Sequence, residues 1–198
     1  MAAIPSLSSE KLQQLKEEYC TLLRSTGREG VEEFLQYLEN ETDFFTAPAS
    51  TNKHGAIYGG LLLHSLEVYK LLVNFSKPLK DVTPETLILC GLLHDVCKVN
   101  MYVVRTRNVK VNGRWEEVES FAIEDSYPFG HGEKSVYLVC KYIRLTDEEA
   151  LAIRWHMGGY DDAARSYIGG LTQSNAYEKV PLCAALNIAD MYAAHFRV

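Results

Sequence analysis

Four polar side chains stand where apolar ones belong. His94 and Asp95 close the run Leu87-Ile-Leu-Cys-Gly-Leu-Leu93, which is apolar on every face and reads as a central buried helix. A charged carboxylate there costs several kcal/mol unless it is paired or bound to metal. His64 sits among Leu61, Leu62, Leu63, Leu66 and Val68, and Asp190 shares a helix face with Leu186 at i−4 and Ala193 at i+3. Taken singly, each has an ordinary explanation: a core His hydrogen-bonded for structure, a helix Asp in a cap or an ion pair. Taken together, in separate apolar helices, they are hard to satisfy one by one and are satisfied at once by a cation. Mixed imidazole and carboxylate donors suit Mn²⁺, Fe²⁺, Co²⁺ or Zn²⁺ better than Mg²⁺.

Helices must position these groups. Ser8 to Arg24 predicts an amphipathic helix with Leu12, Leu15, Tyr19 and Leu22 as its stripe, ended by Gly27. A second follows Gly30 with Val31, Phe34, Leu35 and Leu38. After a loop of small and polar residues from Thr46 to Gly60, a third runs from Gly60 to about Phe75. Thr83 and Pro84 start the buried helix, since Pro is tolerated in a first turn. Further helical patterns cover Glu133 to Arg144, Thr146 to Trp155, and Lys179 or Pro181 to about Phe196; Thr146 and Glu149 have capping-box spacing. The one β signal is Tyr102 to Val111 and Arg114 to Ile123 about Asn112-Gly113, a dipeptide suited to a type I′ hairpin turn. Its root, with Tyr102, Val104, Phe121 and Ile123 on one face, should pack on the helices while its tip is wet. The fold class is therefore all-α, a helical bundle with one inserted β-hairpin at about residues 101–123.

The order His64, His94-Asp95, Asp190 resembles the signature of the HD-domain superfamily of metal-dependent phosphohydrolases. Gly59-Gly-Leu-Leu-Leu-His64-Ser-Leu-Glu-Val68 and Leu92-Leu-His94-Asp95-Val-Cys-Lys98 are similar to its first two motifs. Gly130-His131-Gly-Glu-Lys-Ser135 and Arg154-Trp-His156-Met-Gly158 resemble the extra histidine motifs of its two-metal branch. The resemblance implies two divalent transition metals, one held by His64, His94 and Asp190, the other by His131 and His156, with Asp95 between them. It implies phosphoester hydrolysis by a metal-bridging hydroxide, with Asp95 and Lys98 catalytic and Lys98 on a phosphate or the leaving group. Lys134 is a weaker phosphate-binding candidate. Arg105 and Arg107, two apart on one hairpin face, are candidates to guide a nucleotide or single strand, although pairing with acidic neighbours is the simpler reading. The first two motifs also look like the HD module of certain bacterial exoribonucleases. The same ligand pattern resembles mixed-valent di-iron oxygenases similar to myo-inositol oxygenase, so oxygenase chemistry is the alternative.

Composition narrows the partners. The chain has 198 residues, enough for one well-buried core, and we expect one domain over 1–198: N-terminal helices at about 8–40 and a metal-binding core at about 49–198. A net charge of −6 excludes a broad basic surface for nucleic acid. A small phosphorylated substrate or a short single strand drawn to a cationic centre remains. No run approaches the roughly 18 apolar residues of a membrane span, and Met1 to Glu10 is too polar for a signal peptide. Five cysteines without a CxxC pair fit a reducing compartment, so we expect a cytoplasmic protein. His54 could approach the site from its loop, and His195 from near the C-terminus, but ordinary exposed histidines are the simpler reading of both; Gly59-Gly60 reads as a turn or close packing.

Overall fold

Helices begin where side chains can take up their free N–H groups. A computed structural model describes residues 3–111 and 113–196. Ser8 Oγ accepts from Lys11 N–H at the start of α1 (Ser9–Ser25), and Thr83 does the same for Thr86 ahead of α4 (Pro84–Leu93). Thr146 and Glu149 form the expected capping box at α6 (Asp147–Trp155). Gly30 precedes α2 (Val31–Asn40) with φ +85°, and a Cβ there would overlap the Tyr142 carbonyl, so glycine answers both demands. The remaining helices are α3 (Gly60–Phe75), α5 (His131–Cys140), α7 (Tyr167–Lys179) and α8 (Leu182–His195).

Helix α4 is buried on every face from Leu87 to Leu93, and α3 packs against both it and α8. Gly91 makes the first of these contacts close, because a Cβ there would meet the Tyr69 backbone. Gly132 does the same between α5 and α6, facing the Arg154 carbonyl. One apolar cluster joins Leu15, Phe34, Leu61, Leu92, Ile153 and Leu186, so α1, α2, α3, α4, α6 and α8 share a core. In the α1 stripe, Leu12 and Leu22 pack on the core partly buried as expected, and Leu23, fully buried, joins them.

Strands β1 (Tyr102–Val111) and β2 (Arg114–Ile123) pair antiparallel, with Tyr102 opposite Ile123 and Val104 opposite Phe121. The turn falls in part on Asn112, outside the described residues, as do Met1 and Ala2 of the polar N-terminus. At the root, Phe121 is buried against Tyr58, whereas Val104 and Ile123 are exposed, so only part of the expected root face packs on the body. The tip is wet, with Trp115 71% exposed.

Two helical expectations need correction. Helix α5 begins at His131 and ends at Cys140, not at Arg144, because residues 141–143 turn to bring Tyr142 and buried Ile143 against Gly30 and the core. Helix α7 was not foreseen: Tyr167, Ile168 and Leu171 face solvent and Gly169-Gly170 interrupts the pattern, so no apolar stripe announces it. Among the described residues, no helix is long and apolar enough to cross a membrane.

Candidate metal centre

Each ligand candidate sits at an element boundary or on a core-facing turn. His64 projects from the middle of α3, His94 and Asp95 follow directly on α4, His131 opens α5, His156 follows α6, and Asp190 lies in α8. The structure brings all six together. His64 Nε2 is 3.0 Å from Asp190 Oδ1, 3.4 Å from Asp95 Oδ2 and 3.4 Å from His94 Nε2. The other oxygen of Asp95 turns away: Oδ1 is 2.8 Å from His131 Nε2 and 3.6 Å from His156 Nε2. Asp95 thus faces two groups of imidazoles, one with each oxygen.

Two tautomers follow from the backbone. His94 Nδ1 lies 2.9 Å from the Gly91 carbonyl, and His156 Nδ1 lies 2.6 Å from the Ile153 carbonyl. A carbonyl only accepts, so both Nδ1 atoms carry hydrogen and both Nε2 lone pairs point at the cluster. His156 Nε2 is buried and has no hydrogen-bond partner. A bare, buried acceptor costs about 1–3 kcal/mol; a cation beside it would remove that cost. Asn187 Nδ2 donates to the His156 carbonyl at 2.6 Å, tying this corner to α8.

Charges in the cluster are arranged in opposition. Burial would raise the Asp95 carboxyl, yet Lys98, His94 and a hydrogen bond from His131 hold it well below the usual carboxylate range. Burial would raise Asp190 too, and its bond from His64 outweighs that in the same direction as for Asp95. Burial opposes charge on His64, but Asp190 and Asp95 prevail and raise the imidazole to about 9. For His131 burial is likewise overcome, by Cys97 and Asp95, which raise it to about 10. Burial wins at His156, whose value is lowered. Positive charge on His64 and His131 thus answers the carboxylates at positions that also suit a cation. Three overlapping sets of donors lie close enough for one ion each: His64, His94 and Asp190; His94, Asp95 and His156; Asp95, Cys97 and His131. The residues present fit divalent metal.

A family model for the HD domain matches residues 61–195. The chain belongs to the HD-domain family. HD domains are for the most part metal-dependent hydrolases that bind divalent metals. No curated protein and no solved structure matches the chain significantly.

Above this HD cluster lies a cavity of about 340 Å³, reached by Lys98, His131 and Asp190 and walled by Tyr102, Met101 and Met191. Lys98 Nζ is 2.6 Å from Asp95 Oδ2. Burial would lower the Lys98 ammonium, and Asp95 more than compensates, keeping it charged. The other basic candidates are not brought to the cavity. Lys134, 5% exposed, is paired with Asp125 at 2.7 Å. Arg105 pairs with Glu124 on the exposed hairpin, and Arg107 lies exposed beyond it. Two further residues line the cavity: Lys53, which sequence reasoning passed over, and His54, which it named as able to approach the site but read more simply as an exposed histidine. The segment holding them folds back on α3: Ala49 N–H donates to the Gly55 carbonyl, and a Cβ on Gly60 would overlap that same carbonyl. His54 ends 5.1 Å, ring to ring, from His64, with its Nε2 buried and unpartnered. Burial, followed by His64 and Lys98, lowers it to about 4, so it is neutral at pH 7. His195, expected to be an ordinary surface residue, lines the cavity as well.

Proposed function

We propose that this HD protein is a phosphohydrolase, a phosphomonoesterase or phosphodiesterase, acting on a nucleotide, cyclic nucleotide or nucleic-acid end. The observation that carries the reading is the lining of the cavity over the cluster. Two ammonium groups, Lys53 and Lys98, and three imidazoles, His54, His131 and His195, face one carboxylate, Asp190. In a chain of net charge −6, that local excess of donors suits an anion. The volume sits at the low end of the roughly 300–1,000 Å³ of small-ligand sites, which favours a small substrate over a long strand.

His64, His94 and Asp190 would hold one divalent cation and His131 and His156 a second, with Asp95 offering one oxygen to each. Such cations, when bound, make water nucleophilic at neutral pH and take up charge on phosphoryl oxygens. The chain's own groups do the rest. Lys98, kept charged by Asp95, is placed to meet a phosphoryl or leaving-group oxygen. Neutral His54 offers a hydrogen bond from the roof of the cavity. Tyr102 and the methionine side chains give a flat organic group an apolar wall and exclude water behind it.

The test is a screen of Mn²⁺, Fe²⁺, Co²⁺ and Zn²⁺ against nucleotides, cyclic dinucleotides, short RNA and an aryl phosphodiester, with Asp95→Ala as control. Phosphate or phosphomonoester release that disappears in the control, together with bound metal, is the expected result. Full turnover in Asp95→Ala removes the site assignment. A coloured di-iron protein that consumes O₂ and releases no phosphate replaces the hydrolytic reading with oxygenation.

A further inference from the structure

Cys97 stands beside Asp95 and His131, and nothing above gives it a role. The residue is 2% exposed, and its Sγ lies 3.5 Å from both ring nitrogens of His131. Donor atoms of Asp95, Cys97 and His131 all fall within 4.8 Å of one another. The backbone fixes the thiol there. Cys97 lies in the 3-10 turn Val96–Lys98 that follows Asp95, and its N–H donates to Ser135 Oγ of α5 at 3.0 Å.

With metal–sulfur bonds near 2.3 Å and metal–nitrogen bonds near 2.05 Å, neighbouring S and N donors in a tetrahedral site are about 3.5 Å apart. The spacing of Cys97 and His131 meets that value. A second observation is independent of the thiol. His156 Nε2, buried and without a hydrogen bond, faces Asp95 Oδ1 at 3.6 Å. A cation resting on Asp95 and His131 therefore has a bare nitrogen within reach in addition to the sulfur.

We propose that Cys97 is a thiolate ligand to the cation held by Asp95, His131 and His156. The inference rests on the reading of the cluster as a metal site. Sulfur is the softest donor in the cluster, so it biases this position toward Zn²⁺, Co²⁺ or Fe²⁺ and away from Mn²⁺ and Mg²⁺. On binding, the metal–sulfur bond replaces S–H and the proton passes to solvent. The other four cysteines, Cys20, Cys90, Cys140 and Cys183, belong to none of the three donor sets.

Co²⁺ titrated into the metal-free full-length chain, read by absorption, tests this. The wild-type chain should show a near-ultraviolet thiolate-to-cobalt charge-transfer band beside the weaker visible d–d bands. Cys97→Ser and Cys97→Ala, with far-ultraviolet circular dichroism unchanged, should lose the charge-transfer band. Their Zn²⁺ affinity should fall by more than the roughly 10–100-fold that follows loss of a group merely hydrogen-bonded to a ligand. Visible bands without a charge-transfer band in the wild type overturn the proposal and leave the cluster a metal site. A charge-transfer band unchanged in both variants does the same. Failure of the wild-type chain to take up Co²⁺ overturns the metal reading, and this inference with it.

Discussion

Lys98 Nζ meets Asp95 through Oδ2 at 2.6 Å, the oxygen opposite the one that His131 and His156 approach. The lysine therefore sits on the same side of Asp95 as His64, and it also lines the cavity. On the hydrolytic reading, a group so placed would contribute charge where the substrate reacts without belonging to any of the three donor sets. Lys98→Met should lower kcat by roughly 10²–10³-fold, the scale for losing one preorganised electrostatic contact. Bound metal, measured by elemental analysis, should stay at the wild-type level. Loss of metal in step with activity would instead make Lys98 a support for the ligands.

His54 should affect binding more than turnover. Its neutral ring lines the cavity from outside the donor sets, and its buried Nε2 has no hydrogen-bond partner among the described residues. His54→Ala should raise KM by about tenfold, as expected for one hydrogen bond to a charged group, with kcat little changed. A fall in kcat at constant KM would assign it to the reacting atoms.

The metal-free protein should weaken as pH rises. His64 has a folded value of about 9 against an ordinary 6.5, so its favourable contribution is complete below about 6.5 and is lost as pH rises through about 9. His131, at about 10, extends the loss upward. Bound metal displaces those protons and reverses the trend, since affinity grows as the ligands lose protons. Urea midpoints from pH 6 to 10, with chelator and with Zn²⁺, check this. A chelated protein whose midpoint is flat across that range contradicts the proton placement.

Stability also rests on a buried ion pair far from the cavity. Glu149, 0% exposed, accepts from Arg28 at 2.7 Å, Thr86 Oγ1 at 3.0 Å and Thr146 N–H at 2.9 Å, and Arg28 also pairs with Glu85. Removing the carboxylate leaves Arg28 with Glu85 alone and leaves Thr86 Oγ1 and the Thr146 N–H without their acceptor. Glu149→Ala should cost about 3–5 kcal/mol in urea unfolding. A cost below about 1 kcal/mol would mean that water reaches Arg28 and replaces the carboxylate.

Four of the ligand candidates were legible in the chain because they break apolar helices, whereas His131 and His156 were read only from the resemblance of their motifs. His64, His94 and Asp190 each interrupt a core face, and burial makes such an interruption expensive enough to need a shared answer. The hairpin registered for a similar reason: two alternating strands of equal length about Asn112-Gly113 fix their own pairing. Helix α7 left no such mark, since its apolar residues face water. Lys134 misled because three residues after a histidine is one helical turn, yet Asp125, in the connection ahead of α5, claims its ammonium. Lys53 was unreadable, and His54 readable only as a histidine that could approach the site, for another reason. Their loop has no periodicity, and only the docking of Gly55 on Gly60 carries it over His64.

The hairpin leaves the HD core just after Lys98 and returns just before His131, with Tyr102 and Ile123 at its base beside the cavity and Trp115 far out in water. The base of the arm thus supplies part of the cavity wall, Tyr102 and Ile123, without supplying any of the clustered donor atoms. Exchanging the base of this arm would change which molecules are admitted while the donor atoms keep their places, and lengthening its tip would change neither.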